Sequence, residues 1–535
     1  MKFENLKLKI FSNAAYVLLF GIIFWTLSYH LALITTPIQQ EYREGAQIVL
    51  TDTFIKGIKP YSFESLPLGS NPYGVLYQVI CYYPAKFFGS TFLLHRAISS
   101  IFIFASLGLI FLIMRKKEIK PVTAISAICL LYVSFLYGST ALARPDALGE
   151  LLFLAAVLVP YLKKFNLSSL AFSSLLLFLI LLTKLYFTSA FFIVFFYLLL
   201  FISKKKAAIY GGLFTAIFSS WAGFSYLFFD TYLNQVIGSM AQATTLSNQV
   251  LRMQLNFYFV SYLLVFIMTI FIMMKKIIPL RRVNTEVALP RDGDKFNITS
   301  FDKPLFSHQF CYLDFCILVT FSLLCLIWGR NDGGWMGYFY QLLSPFLIIR
   351  IAMLFNKNIG QLGALVFLIN TGLFFAIYFT SQAVLKDDKD WSKVWNLIEN
   401  HQNIYGSSAV SGALLQHGKK VYDTGLSLSS WASIYKPQGL EKYFSSKNKI
   451  IQEGNDRYCN QILSELEAQQ FDLLITYGAS IAFKEKDIEP HGYELISTIP
   501  ISFPHNFQHY ELSVWAPIGK VHPKIAPNQQ CTIYL

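Results

Sequence analysis

The sequence predicts a polytopic α-helical membrane protein with about eleven transmembrane helices, followed by a small extracytoplasmic α/β domain. Of its 535 residues, 54% are hydrophobic and 17% aromatic, and only 14% carry a formal charge. Soluble domains contain about 25% charged residues on average. Apolar runs recur along residues 10–380, and beyond them the charge rises and the apolar runs become short. These observations exclude a wholly soluble protein.

Eleven apolar segments are expected to cross the bilayer, although some are shorter than the roughly 20 residues that a span usually needs. They lie near residues 10–33, 92–114, 121–140, 147–162, 166–183, 186–203, 207–229, 254–274, 309–328, 341–355 and 359–380. We do not interpret the first as a cleaved signal peptide, because its apolar run is long and no small-residue cleavage site is evident. The sequence therefore predicts a transmembrane domain over residues 1–380, with its first extracytoplasmic loop at 34–91, and a second domain over 381–535.

Basic residues set the orientation of the spans. They cluster before the first span and after every second one, at residues 2–9, 115–120, 163–164, 204–206, 275–282 and 357. Because Lys and Arg accumulate in cytoplasmic loops, we expect a protein of the inner (plasma) membrane with a cytoplasmic N-terminus and an extracytoplasmic tail. The formal charge of +13 then reflects topology, and we expect no nucleic-acid partner.

The first loop between spans is too polar for the bilayer core and too apolar for a loose linker. Its first part predicts a helix over residues 39–56 that Gly57 ends, and a second short helix is expected over residues 74–88. On the first helix Glu41 and Glu44 are three residues apart, which places them on one face. Carboxylates between two spans are costly unless they are used or solvated. A solvated interfacial helix is the alternative interpretation.

Further charged residues lie at the ends of spans that face the outside. The cationic ones are Arg43, Arg96, Arg144, Lys184, Arg252 and Arg330, and the acidic ones are Glu41, Glu44, Asp146, Asp230 and Asp332. Any one of them could be a side chain that snorkels to the membrane interface. Together they predict a polar cavity for an anionic headgroup, since Arg binds phosphate bidentately and Lys acts as a point charge.

Several segments follow one another in a characteristic order. After an acidic residue behind the first span come GAQIVLTDTFIKGIKPY, NPYGVLYQ, HRAIS, ARPDALGEL, LTKLYF and GYFYQLLSP, which together extend from residue 37 to about 348. This order resembles the GT-C superfamily of polyprenyl-phosphate-sugar-dependent glycosyltransferases, which includes protein O-mannosyltransferases and the lipid A aminoarabinose transferase. Many family members carry an Asp-Glu pair in the first loop, where this chain has Arg43-Glu44 and, upstream, Glu41.

The resemblance implies an inverting glycosyltransferase with a polyprenyl-phosphate sugar as donor, membrane lipid around it, and an envelope glycan, lipid or protein as acceptor on the extracytoplasmic side. One carboxylate takes the proton of the acceptor hydroxyl, and cationic groups stabilise the leaving phosphate. We favour Glu44 as this base, with Glu41 close behind, and expect Asp146 to orient the base, the sugar or Arg144. The residues expected at the donor phosphate are Arg96, Arg144, Lys184 and Arg330. Those expected to contact the substrates elsewhere are Arg43, Tyr61, Tyr73, Asp332 and Tyr338.

A divalent metal ion is left open as a cofactor, because some relatives with acidic pairs need one and others do not. The strongest acidic run, formed by Asp387, Asp388 and Asp390, heads an amphipathic stretch. Acidic residues favour a helix start because of the helix dipole. We therefore interpret this run as structural rather than as a set of metal ligands.

The tail alternates predicted helices and strands, which is typical of a small α/β domain. Strands are expected in NIYGSSAV, KKVYDTG, FDLLITYG, YELISTI and HYELSVWAP, and helices in DWSKVWNLIENH, SGALLQHG and CNQILSELEAQQ. Cys459 and Cys531 could form a disulfide outside the cytoplasm. The tail is either an acceptor- or partner-binding domain or a passive accessory.

Two other classes of function are weighed against the transferase. A flippase or other transporter of lipid-linked saccharides predicts charges at the membrane midplane and internal repeats, whereas these charges lie at the outer ends of the spans. A non-enzymatic envelope assembly protein would use the acidic loop as a surface for a partner.

Overall fold

The fold is taken from a computed structural model. It describes residues 2–138, 141–242, 247–285, 308–324, 330, 338–379, 388–424, 445–477, 485–503 and 508–519. Asp332, Asp387 and Cys531 lie outside these ranges, so the predictions made for them concern residues that the structure does not describe.

Helices form most of the described chain. In order they are α1 (Lys2–Thr35), α2 (Tyr42–Ile55), α3 (Leu76–Phe88), α4 (Phe92–Lys116), α5 (Pro121–Tyr137), α6 (Asp146–Leu162), α7 (Leu167–Leu181), α8 (Ser189–Tyr197), α9 (Lys204–Phe228), α10 (Tyr232–Gln242), α11 (Asn248–Ser261), α12 (Leu263–Thr285), α13 (His308–Leu323), α14 (Ser344–Asn358), α15 (Gln361–Phe374), α16 (Asp388–Asn400), α17 (Ser411–Gln416) and α18 (Ser445–Glu467). Short 3-10 segments cover Phe63–Ser65, Leu185–Thr188, Glu485–Asp487 and Glu489–His491, and π-helical segments cover Leu198–Ile202, Tyr338–Leu343 and Phe375–Phe379.

The chain is a multi-pass membrane protein. Within the described ranges, six helical segments are long and apolar enough to cross a membrane, and a bent pair raises this to seven if it forms one span. The six are Ala15–Thr35, Phe92–Lys116, Leu185–Ile202, Lys204–Phe228, Phe339–Asn358 and Gln361–Tyr378. The remaining predicted spans coincide with shorter helices, of which α5 and α6 have 17 residues each and α7 has 15. The number eleven therefore stays a prediction.

The bent pair consists of α11 and α12, which meet at an angle of 75°. Backbone groups freed by a break at membrane depth must find other partners. Asn370 on α15 supplies them: its Oδ1 accepts the N–H groups of Leu264 at 3.1 Å and Val265 at 3.3 Å, and its Nδ2 donates to the carbonyl of Ser261 at 2.7 Å. The single straight span predicted over residues 254–274 is therefore replaced by two helices joined through a neighbour.

The predicted loop helix is α2, which begins one residue after Glu41 and ends before Gly57. Glu41 is its N-cap: the backbone is extended there (φ −157°, ψ 142°), and the side chain accepts the N–H of Arg43 at 2.9 Å. At the other end Gly57 has φ +87°, a conformation that glycine adopts without strain. Because Glu41 precedes the helix, the expected shared face of Glu41 and Glu44 is not formed, and the two side chains contact different partners.

The tail contains a four-stranded sheet of β1 (Ile404–Gly406), β2 (Leu473–Thr476), β3 (Tyr493–Phe503) and β4 (Gln508–Pro517) in the order β1-β2-β4-β3. β1 and β2 are parallel and the other neighbours antiparallel. The predicted α/β character is thus confirmed, but the strand expected in KKVYDTG is wrong, since residues 419–424 are not a strand. Its apolar positions instead pack into the tail: Val421 contributes to one tail core and Tyr422 to another.

Candidate functional site

Two separate groups of buried charges form where the first loop meets the ends of neighbouring helices. One is the pair formed by Glu44 and Arg96, whose side chains are both 0% exposed. Arg96 binds Glu44 bidentately, with Nε 2.9 Å from Oε1 and Nη2 2.8 Å from Oε2. Its remaining donors reach three backbone carbonyls at 2.7–3.0 Å, those of Leu33, Thr36 and Ile38. Since a guanidinium has five N–H donors, Arg96 is fully occupied.

Glu44 is equally saturated on the acceptor side. Besides Arg96, its Oε2 accepts the N–H of Gln40 at 2.7 Å, and its Oε1 accepts the N–H of Ala143 at 2.8 Å. A carboxylate offers about four lone-pair sites, so these contacts use all of them. The pair therefore fastens the end of α1, the start of α2 and the turn before α6 to one another.

The second group, which we call the charged cluster, forms around Glu41 at the start of α2. Its members are Glu41, Arg43, Tyr73, Arg144, Asp146 and Lys184. Glu41 Oε1 lies 2.6 Å from Arg43 Nε, and its Oε2 lies 3.6 Å from Arg144 Nη1. The sequence predicted each member individually, and the structure brings all six together.

Asp146 links the cluster to the membrane helices. Its Oδ2 lies 3.2 Å from Arg144 Nε, and its Oδ1 accepts a hydrogen bond from Lys184 Nζ at 2.9 Å. The hydroxyl of Tyr186 lies 3.3 Å from this Oδ1 and 2.8 Å from Gln341 Oε1, so its single proton is shared between the two acceptors. Through Gln341 the cluster reaches the π-helical segment before α14.

Local backbone geometry explains why these residues converge. Asp146 is the first residue of α6, where the helix dipole favours a carboxylate. Lys184 follows α7, and the chain beside it pairs with the first loop: Gly74 N–H donates to the Thr183 carbonyl at 2.7 Å. A β-carbon at Gly74 would overlap the carbonyl group of Leu182. Glycine is therefore needed at position 74 for the loop to approach the Lys184 segment.

Tyr73 lies at the centre of the cations. Its hydroxyl accepts from Arg43 Nη1 and from Arg144 Nη2, both at 3.4 Å, and Lys184 Nζ lies 4.5 Å from the ring centre. Burial by itself raises the pKa of the Tyr73 phenol, but the three surrounding positive charges outweigh burial and lower the pKa below its usual value. An oxygen at this position is therefore held in a strongly positive field.

The same cations act on Glu41. Burial raises the pKa of the Glu41 carboxyl, but the charges of Arg43 and Arg144 and the hydrogen bonds from Arg43 outweigh burial. The pKa of Glu41 is consequently lowered. At neutral pH Glu41 is a carboxylate, which is the form that can accept a proton.

The charged cluster carries an excess of positive charge. It has three cationic and two anionic side chains, which leaves one net positive charge in a largely buried setting. Its most accessible charges are Arg43 and Lys184, at 16% and 14% side-chain exposure. Glu150, one turn beyond Asp146, is buried and has no hydrogen-bond partner for either carboxyl oxygen. An unpaired carboxylate at such a site is very costly, so Glu150 is not counted among these charges.

The other predicted site residues lie elsewhere. Arg96 is engaged with Glu44. The Tyr61 hydroxyl donates to the backbone carbonyl of Tyr73 and so stabilises the conformation of the first loop. The Arg330 carbonyl accepts the N–H of Ser247 at 2.8 Å, and no described contact joins Arg330 to the cluster. Tyr338 begins the π-helical segment before α14.

Metal ligands are not grouped in the described ranges, which contain no set of three or more His, Cys, Asp or Glu side chains able to hold an ion. Asp388 begins α16, and Asp390 pairs with Lys393 at 2.8 Å. Both positions agree with the structural interpretation of the acidic run.

Two residues of the site were missed in the sequence. Tyr186 stands in LTKLYF, two residues after Lys184, and Gln341 stands in GYFYQLLSP, so both belong to segments that carried the resemblance. A tyrosine and a glutamine in apolar helices could have been noticed as polar groups that need partners. The identity of those partners has no local signal.

No protein-family profile and no curated protein matches the chain. Among solved structures, the chain is similar to ArnT from Cupriavidus metallidurans bound to undecaprenyl phosphate. The two are 12% identical with a TM-score of 0.43, and the similarity covers 90% of this chain and 84% of that one.

Proposed function

We propose that the chain is an inverting glycosyltransferase that uses a polyprenyl-phosphate-linked sugar to glycosylate an envelope acceptor on the extracytoplasmic side of the membrane. The observation that carries this proposal is the single positive charge in excess in the charged cluster. Each cation already contacts a carboxylate, but the net positive charge of these described side chains favours binding of one further anion. A sugar attached to a polyprenyl phosphate is a phosphodiester with one negative charge, which restores neutrality.

The charge balance also holds through the reaction. The acceptor oxygen forms a bond to the anomeric carbon, and the bond from that carbon to the phosphate oxygen breaks with its electron pair staying on the phosphate. The acceptor proton passes to a carboxylate of the cluster. The cluster then carries two positive charges, and the leaving polyprenyl phosphate carries up to two negative ones. Preorganised charges of this kind stabilise the charge that develops in a transition state.

We propose Glu41 as the base. The sequence favoured Glu44, but all of its acceptor sites are filled and its role is better described as positioning the loop. Glu41 lies in the cluster and is ionised at neutral pH. When a phosphate binds Arg43 and Arg144, it offsets the charges that depress the pKa of Glu41, and Glu41 becomes a better proton acceptor. Asp146, paired with Lys184, is the second candidate.

Arg144 and Lys184 are proposed to stabilise the donor phosphate, with Arg43 at the mouth of the cluster. Arg144 supplies planar N–H donors that suit phosphate oxygens, and Lys184 supplies a point charge. We propose that the phosphate binds near the Tyr73 hydroxyl, because this oxygen already accepts hydrogen bonds from Arg43 and Arg144. Arg96 has no donor left for a phosphate and is omitted from this role.

The fate of the donor distinguishes this proposal from the two alternatives. A transporter would release the intact donor on the other side of the membrane, and an assembly protein would leave the donor unchanged. The decisive experiment incubates the purified protein in detergent with a panel of undecaprenyl-phosphate sugars and with envelope glycan, lipid and protein fractions as acceptors, and measures release of undecaprenyl phosphate by chromatography. Consumption of at least one donor supports the transferase, and a complete lack of consumption across the panel, with donor binding intact, contradicts it.

The extracytoplasmic position of the tail is a further part of the proposal. Ser168 and Glu467 are both exposed, the first near the start of α7 and the second at the end of α18 in the tail. In a cysteine-free background, single cysteines at these positions should react with a membrane-impermeant reagent from opposite sides of sealed vesicles. Labelling from the same side would overturn the orientation.

A further inference from the structure

The tail contacts α2 directly. The N-terminal end of this helix contributes Arg43 and the N-cap Glu41 to the charged cluster. Gln39, just before α2, donates through Nε2 to the carbonyl of Ser408 and accepts through Oε1 from the N–H of Gly412, both at 3.3 Å. A β-carbon at Gly45 on α2 would overlap Ser411, and one at Gly412 would overlap the ring of Phe92. The backbones of α2 and α17 therefore meet at a distance that only glycine allows.

Apolar packing extends this contact to two more elements. Leu415 on α17 packs against Ile48, Phe92 and Ala143, which are all at most 1% exposed. These three belong to α2, to α4 and to the turn before α6, respectively. One small helix of the tail thus contacts α2, α4 and the turn before α6, which carry Glu44, Arg96 and the Ala143 N–H that binds Glu44. Ile38 and Val49, beside and on α2, are also part of the main apolar core of the tail.

The contacted positions are close to the groups proposed to react. Ala143 donates its N–H to Glu44 and directly precedes Arg144. Gln39 is two residues from Glu41. A displacement of α17 therefore acts on the base and on the phosphate-binding arginine together.

We infer that α17 is a positioning element for the charged cluster, so that the tail is required for the geometry of the site and is not a passive accessory. The inference rests on the proposed function for its catalytic consequence. A misplacement of about 1 Å far from the reacting atoms can lower a rate on the order of 10²-fold. Gln39, Gly412 and Leu415 are positioning residues in this sense, since they contact no reacting group.

The test compares Leu415→Ala, which removes the apolar contact, with Leu415→Met, which largely retains its volume. Gly412→Ala inserts the overlapping methyl group. Gly108→Ala is the matched control, because Gly108 lies on α4 and an added β-carbon there meets nothing. Two quantities are measured on the full-length protein: hydrogen exchange of the α17, α2 and Ala143 amides, and affinity for undecaprenyl phosphate.

We expect Leu415→Ala and Gly412→Ala to speed exchange in α2 and at Ala143 and to weaken undecaprenyl phosphate binding about tenfold, within the usual range of coupling between linked sites. Leu415→Met should leave both quantities close to their wild-type values, and Gly108→Ala should change neither. If α17 loosens while exchange in α2 and at Ala143 stays as in the wild type, the inference is overturned. If the wild-type protein does not bind undecaprenyl phosphate, the proposed function fails, and the exchange data alone decide the inference.

Discussion

The Glu44–Arg96 pair and the charged cluster both include residues of the first loop and are both largely buried, yet they differ in how their charges are used. The pair is neutral, and its donors and acceptors are all filled by protein groups. The cluster has one positive charge in excess and holds its two most accessible cations at its edge. A buried pair whose donors and acceptors are all occupied has no group left to bind a ligand and therefore supports structure. A net charge in a buried cluster favours binding of a ligand of opposite charge.

This comparison explains why two glutamates three residues apart have different roles. Glu41 ends the extended segment before α2 and faces Arg43 and Arg144, while Glu44 is in the first turn and faces Arg96. Substitutions in the pair are therefore expected to change stability, and substitutions in the cluster are expected to change donor turnover.

The largest expected effect is on stability, from Glu44→Gln. This change leaves the buried Arg96 without its counter-charge, which typically costs about 3–5 kcal/mol. A thermal melt or denaturant titration in detergent should show the loss. Glu118→Gln is the control, since Glu118 is exposed. A wild-type melting temperature in Glu44→Gln would show that the pair does not hold the loop.

Arg144→Gln should act on the reaction instead. It removes one of the groups proposed to stabilise the leaving phosphate, and losing one such donor typically lowers turnover by about 10²–10³-fold. Release of undecaprenyl phosphate from a consumed donor is the measurement, with exposed Lys116→Gln as the charge-matched control. Equal turnover in Arg144→Gln and the control would remove Arg144 from the site.

Tyr186→Phe tests a smaller part of the cluster. The hydroxyl proton is shared between Asp146 and Gln341, and a hydrogen bond to a charged group is worth about 1.5–3 kcal/mol. We expect a drop in donor turnover of about tenfold or somewhat more, consistent with that range. Tyr16→Phe, at an exposed tyrosine, should behave as wild type. Unchanged turnover in Tyr186→Phe would mean that Arg144 and Lys184 orient Asp146 without the tyrosine hydroxyl.

The smallest expected effect is on the pH dependence of stability. The folded state lowers the pKa of Glu41, so its contribution to stability is complete above the unfolded value of about 4.3 and is lost as the pH falls through the lower folded value. Melting temperatures should therefore fall more steeply below that pH in the wild type than in Glu41→Gln. Parallel curves for the two proteins would show that the ion pairs of Glu41 contribute nothing to folding.

Much of the fold could be predicted because it follows from local composition. Long apolar runs predicted the membrane helices, and Gly57 predicted the end of α2. The break between α11 and α12 could not be predicted, since it depends on Asn370 more than a hundred residues away. The strand expected at KKVYDTG failed for a similar reason: packing in the tail core, not local alternation, decides the conformation there.

The site was predictable in its members but not in its pairings. Charges at the ends of apolar spans are unusual enough to be noticed one by one. The partners of Arg96 include three backbone carbonyls at and just after the end of α1, which leave no mark in the sequence. The helical spacing that placed Glu41 and Glu44 on one face did not apply, because Glu41 is a cap outside the helix.

The most direct test of the central claim is the behaviour of Glu41→Gln in donor turnover and in undecaprenyl phosphate binding. If the cluster binds the phosphate and Glu41 is the base, turnover should fall by about 10²–10⁴-fold, while undecaprenyl phosphate binds at least as tightly because the cluster has gained positive charge. Lys184→Gln, which makes the cluster neutral, should instead weaken binding. Full turnover in Glu41→Gln, or tighter binding in Lys184→Gln, would contradict the account.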